Sequence, residues 1–180
     1  MKPGTELQRN AGAVQTYFDV AAFKEVVGRF PTGVAVVTAM HGQIPVGFSC
    51  QSFVSLSLDP PLIALAAAKT STSWPRIRAA GVFCVNILAE SQADLCRGFA
   101  RSGSDKFAGV DWYVGPSGAP VLADASAWIE CGLELAHDAG DHEIVFGRVV
   151  NLWKGGRRSL LFYESRFARV EELGPESGPA

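Results

Sequence analysis

The sequence predicts a mainly β fold, a β-barrel broken by a few short helices, and three observations carry that reading. Segments such as Phe48–Leu58 and Ala127–Ala136 alternate apolar and polar residues with period two. Turn signals separate them, as at Ala139-Gly140-Asp141 and Gly155-Gly156. Helical patterns are short and interrupt the strands instead of alternating with them, which argues against a doubly wound sheet.

At 180 residues the chain suits one domain with a substantial core. Residues 1–16 and 174–180 (GPESGPA) read as tails, so the domain spans residues 17–173. A net charge of −2 gives no electrostatic ground for binding nucleic acid or an anionic membrane. The apolar run Leu62–Ala68 is far short of the ~20 residues that cross a bilayer, and the N-terminus carries no export pattern. Four widely spaced cysteines without a C-x-x-C pair, and three histidines without ligand spacing, predict no metal site and a reduced, cytoplasmic protein.

Along the chain, Asp19 is placed to cap a helix whose apolar residues Phe23, Val26, Val27 and Phe30 follow i, i+3, i+4, i+7 spacing. Pro31 ends it. Gly33–Thr38 is continuously apolar and reads as a buried strand, followed through His41–Pro45 by a strand over Gly47–Leu58. Pro60-Pro61 punctuates before Leu62–Ala68, whose alanines favour helix and whose length and flanks favour strand. Thr70–Ser73 precedes a short helix from Trp74-Pro75 to Gly81. Val82–Leu88 is a strand, and Ser91 is placed to cap a helix over Gln92–Ala100. A loop follows over Ser102–Gly118. Ala127–Ala136 then sets Ile129, Cys131, Leu133 and Leu135 on one face and Glu130 and Glu134 on the other, before strands at Ile144–Trp153 and Ser159–Tyr163.

The Gly47–Pro61 stretch is the most informative. Its mainly polar face, Ser49, Gln51, Phe53, Ser55 and Ser57, has no charge before Asp59. Such a face suits the neutral edge of an organic ligand, and equally a crowded subunit interface. Thr70–Ser73 offers hydroxyls and free N–H groups at a helix start, either for an anion or as a simple cap, with Arg76, Arg78 and Lys106 near enough in sequence to add charge. His142, between Asp141 and Glu143, is either a proton donor or hydrogen-bond partner at a site, or a surface turn residue. No G-x-G-x-x-G, phosphate-loop or G-x-S-x-G motif occurs, and Cys50 has no evident base.

Read in order, six motifs resemble one family, the flavin reductase components of two-component flavin monooxygenases. They are FPTGVAVVT at Phe30–Thr38, GFSCQSFVSLSLDPPL at Gly47–Leu62, KTSTSW at Lys69–Trp74, FCVNIL at Phe83–Leu88, DKFAGVDW at Asp105–Trp112 and GDHEIVFGRV at Gly140–Val149. The resemblance covers Phe18 to Val170 and implies an FMN-binding split β-barrel, Greek-key-like and homodimeric. It implies an NADH-dependent flavin reductase that takes FAD (or FMN), with NADPH the less favoured donor, and passes reduced flavin to a partner monooxygenase. It assigns cofactor contacts to Pro31, Thr32, Gly33, Ser49, Cys50, Gln51, Ser52, Lys69, Ser71, Ser73, Asn86 and Phe107. Gly140, Asp141, His142, Tyr163, Arg166 and Phe167 fall on the nicotinamide side, with His142 the catalytic candidate that positions the nicotinamide or supplies a proton. Cys50-Gln51 stands where many relatives have small hydroxyl residues, which leaves the contacts of Gln51 open. The competing readings are a flavin- or haem-binding split-barrel module without turnover, and an oxidase like those acting on pyridoxamine phosphate.

Overall fold

The computed structural model describes residues 16–103 and 105–171. Apart from Thr16, the predicted tails lie outside the described residues. Helix α1 (Val20–Val27) starts at Asp19, whose carboxylate accepts from the Ala22 N–H at 2.8 Å. After it come β1 (Thr32–Gly33), β2 (Ala35–His41), β3 (Ile44–Cys50), β4 (Val54–Leu58) and β5 (Pro61–Ala68). Helix α2 (Trp74–Ala80), β6 (Val82–Ile87) and helix α3 (Ala93–Ala100) follow. The remainder is strand: β7 (Trp112–Val114), β8 (Pro120–Leu122), β9 (Ala127–Ala139), β10 (His142–Lys154), β11 (Leu160–Tyr163) and β12 (Arg166–Arg169).

Seven strands form one antiparallel sheet in the order β3-β2-β6-β9-β10-β5-β4. The predicted Gly47–Leu58 strand is therefore two strands, and they lie at opposite edges of this sheet. The chain crosses between them at Gln51–Phe53. Ser52 ties that crossing down: its Oγ accepts from the Ala66 N–H at 2.8 Å and donates to the Ala66 carbonyl at 3.1 Å. A side chain thus takes the place of a ladder where the sheet curls back on itself, giving a barrel with a split.

Strand β2 explains why Gly33–Thr38 is apolar throughout. Ala35, Val37 and Ala39 face the barrel interior with Phe48, Leu65, Phe83 and Val145, while Val34 and Val36 face a second cluster with Leu88, Phe99, Leu122 and Leu160. A strand buried on both faces shows no alternation. Trp74 and Ile77 of α2 pack into the first cluster, and α3 and the β1-β11-β12 sheet pack around the second.

Several expectations change. Glu130, on the face opposite Ile129 and Cys131, is fully buried; it accepts from the Ser117 N–H at 3.0 and 3.2 Å. Gln92, not Ser91, stands at the N-cap of α3, and its side chain bonds outside the helix, accepting from the Ala89 N–H at 2.9 Å and donating to the Ala123 carbonyl at 2.8 Å. The Ser102–Gly118 loop carries β7, and Leu62–Ala68 is a strand. Helix α1 ends at Val27, short of Phe30, and buries none of its residues: Phe23, Val26 and Val27 are exposed, as is Phe30 beyond it. No helix among the described residues is long and apolar enough to cross a membrane.

Candidate functional site

One cavity, of about 420 Å³, lies where β3 gives way to the crossing. Ser49, Cys50, Gln51 and Ser52 line it, with Ala66 and Ala68 of β5 and Thr70, Ser71 and Thr72 of the loop before α2. Helix α3 supplies Cys96, Phe99 and Ala100, and β10 supplies its first residue, His142. Glycine at position 47 lets α3 come this close. A Cβ there would sit 2.8 Å from Phe99 Cε1 and 2.9 Å from the Val37 carbonyl.

The lining is polar but nearly without charge. Burial pushes the Cys50 and Cys96 thiols up, so both stay protonated near neutrality and neither is an activated nucleophile. Lys106 is the one lysine or arginine among the lining residues. Its Nζ donates to the Phe99 carbonyl at 3.0 Å, the Gly47 carbonyl at 3.1 Å and Ser73 Oγ at 3.4 Å. All three acceptors are uncharged, and burial holds its pKa below the usual lysine range. The result is an unneutralised positive charge in the wall.

His142 sits at the other end of the chemistry. The tight β9–β10 turn needs glycine at 140, where φ is +66°. His142 Nδ1 lies 2.7 Å from the Asp141 carboxylate, whose pKa is lowered first by that hydrogen bond and then by the charge interaction with His142. An ionised carboxylate only accepts, so Nδ1 carries a proton, and in the neutral form of the ring that leaves Nε2 as the acceptor. Glu143, next along β10, takes hydrogen bonds from Trp74 Nε1 and, at 2.8 Å, from Arg78. This ties α2 to the strand that carries His142.

Of the residues marked from the sequence, Ser49, Cys50, Gln51, Ser52, Ser71 and His142 meet in this cavity. Others do not. Asn86 is fully buried and spent: Nδ2 donates to the Val36 carbonyl at 3.2 Å and Thr38 Oγ1 at 3.0 Å, and Oδ1 accepts from the Leu122 N–H at 2.8 Å. These bonds lock β2, β6 and β8 together. Phe107 is buried against Phe99 and Trp112 and supports the wall without lining it. Lys69 extends to Asp138, 3.3 Å away, and the Ser73 hydroxyl donates to the Gly47 carbonyl at 2.7 Å. Pro31, Thr32 and Gly33 lie just before the lining residue Val34, and Thr32 Oγ1 is buried with no hydrogen-bond partner among the described residues. Gly140 and Asp141 shape the turn beneath His142. Tyr163, Arg166 and Phe167 belong to the β11–β12 hairpin, outside this cavity. Sequence reasoning passed over Phe99 and Ala100, because a short helix with apolar residues reads as core.

Comparison with known proteins gives a consistent picture. A family model described as "Flavin reductase like domain" matches residues 27–171. The reductase subunit of a flavin-dependent monooxygenase from Rhodococcus jostii is 44% identical over 168 residues, covering 93% of this chain and 86% of that one. Among solved structures, a nitrilotriacetate monooxygenase component B homologue from Mycobacterium thermoresistibile superposes with a TM-score of 0.81 at 41% identity, covering 89% of this chain and 94% of the other. An NADH:FAD oxidoreductase from Streptomyces globisporus, solved with NAD and FAD fragments, gives a TM-score of 0.80 at 36% identity over 88% of this chain and 95% of that one.

Proposed function

The chain belongs to the flavin reductase like family, and on that basis we propose that it reduces FAD with NADH and releases the reduced flavin to a separate monooxygenase component. The observation that carries this reading is the cavity itself: a neutral hydroxyl and amide rim, one unneutralised lysine, one oriented histidine and no activated nucleophile. When bound, flavin supplies a hydride acceptor at N5 for the donor carbon of a nicotinamide, so the protein needs to align two rings and not to attack either. Ser49, Gln51 and Ser52 are suited to holding the polar edges and ribityl chain, and Lys106 the phosphate. His142, with Nδ1 held by Asp141, has Nε2 left to accept from a carboxamide N–H of the nicotinamide and so is suited to positioning it.

A pyridoxamine-phosphate oxidase would need a denser cationic clamp than Lys106 alone provides. A binding module without turnover has no use for an oriented histidine at the mouth of the site. Four free cysteines suit a reduced, cytoplasmic setting. The homodimer is also proposed, since Val54, Leu56 and Leu58 on the edge strand β4 are exposed together with α1.

Steady-state oxidation of NADH and NADPH with added FAD, FMN or riboflavin tests the assignment. The expected result is flavin-dependent oxidation with NADH favoured. Absence of such oxidation with either nucleotide overturns it.

A further inference from the structure

Two further cavities meet at the turn between β10 and β11, where Gly155 and Arg157 line both. One, of about 360 Å³, is cationic: Lys154, Arg157 and Arg158 line it and no carboxylate does. The other, of about 250 Å³, is aromatic, walled by Tyr113, Trp128 and Trp153 with Asp124 as its one acid. Asp124 is taken up by Arg157, and Glu171, next to the lining residue Val170, lies 3.7 Å from Arg169. Among the described residues no carboxylate pairs with Lys154 or Arg158.

The turn that carries these cations is anchored. The Arg157 carbonyl accepts from Ser126 Oγ at 2.8 Å, and the Arg158 carbonyl accepts from the Glu90 N–H at 2.9 Å. Glycine at 155 lets Trp153 fold onto the turn, since a Cβ there would sit 2.7 Å from its ring. Trp153 is 49% exposed and stacks on Trp128, ring centroids 6.4 Å apart and 18° from parallel. The Trp128 indole N–H has no hydrogen-bond partner among the described residues, so the aromatic wall holds an unmet donor. Strand alternation turns Trp153 to the face of β10 opposite Leu152, and none of these residues lines the cavity of Ser49–Ser52.

Three cations around a cavity with no acid select an anion, and guanidinium and ammonium groups suit a carboxylate. The half-open indole of Trp153 next door offers a face for a flat ring. We propose that the paired cavities bind a small aromatic acid, its ring against Trp153 and its carboxylate at Lys154, Arg157 and Arg158. This site is separate from the cavity of Ser49–Ser52 and does not rest on the flavin reductase reading.

Calorimetric titration of the full chain with 1-naphthoate tests it, beside neutral 1-naphthamide, non-aromatic cyclohexanecarboxylate and inorganic phosphate. The expected result is one 1-naphthoate per chain, bound at least tenfold tighter than any of the other three, with or without saturating FMN. The double variant Lys154→Ala/Arg158→Ala should weaken 1-naphthoate at least tenfold, and Trp153→Ala should bring it level with cyclohexanecarboxylate. Circular dichroism reports that each variant is folded; both cations are exposed, so the double variant decides if Trp153→Ala is not. Absence of saturable binding overturns the proposal. So does 1-naphthamide that binds as well, which would mean apolar adhesion, or phosphate or cyclohexanecarboxylate that does, which would mean a charged patch alone. Binding that FMN abolishes, or that the folded double variant retains, also overturns it, because the ligand would then sit elsewhere.

Discussion

Ser52 holds the barrel's seam with one hydroxyl that both accepts from and donates to Ala66. Ser52→Ala removes both bonds, and we expect a loss of about 1–2 kcal/mol in denaturant unfolding, together with weaker flavin binding because Gln51 shares the released segment. His142 invites a different test. Losing one hydrogen bond to the nicotinamide should raise KM for NADH about tenfold in His142→Ala. Unchanged kcat and KM would remove this residue from the site. Lys106 gives a pH signature. Burial holds its pKa below the ordinary value of about 10.4, so its charge is lost earlier than a free lysine's as pH rises. Flavin affinity should therefore fall through that depressed value, and Lys106→Met should lack that limb. The stability term has the opposite sense. Between the folded and unfolded values the unfolded chain binds more protons, so folding stability rises with pH there and is flat below it.

Among the elements, α2 and β10 are coupled through one carboxylate. Glu143 receives Trp74 Nε1 and Arg78, while its neighbour His142 lines the cavity. Glu143→Ala leaves the indole N–H of Trp74, which is 3% exposed, without its partner, at a cost of about 1–3 kcal/mol. Glu143→Gln should recover most of it, and equilibrium unfolding of the pair separates the two. None of this was legible in the sequence, where Glu143 is one of two acids flanking a histidine. Most strands were legible, because alternation and turn residues act locally. The break at Gln51–Phe53 was not, since Phe48–Leu58 keeps its period across it and only the sheet order shows that its halves occupy opposite edges. Glu130 misled for a related reason: alternation predicts two faces but not that the second is also covered. Asn86 and Phe107, marked through the resemblance, are buried behind the cavity, whereas Ser49–Ser52, Ser71 and His142 line it.

At the scale of the whole molecule, the exposed apolar surface is too ordered to be incidental. Val54, Leu56 and Leu58 lie on β4, the sheet's edge, and Val150 and Leu152 lie on β10, two strands in. Leu58 is 90% exposed, and an edge strand carrying such residues templates association unless something covers it. Helix α1 adds Phe23 and Val26, with Phe30 just beyond it, so an amphipathic pattern that normally marks a buried face is left uncovered among the described residues. The proposed second copy would cover such surface, and the cavity begins at the Gln51–Phe53 crossing that leads directly into β4. Association and flavin binding should therefore be linked. A charge at Leu56, as in Leu56→Lys, should shift the protein from dimer to monomer in analytical ultracentrifugation and weaken flavin binding in parallel. A Leu56→Lys protein that sediments as the unaltered chain does would mean that β4 is not the interface. A monomer that binds flavin with undiminished affinity would mean that the cavity is complete within one chain.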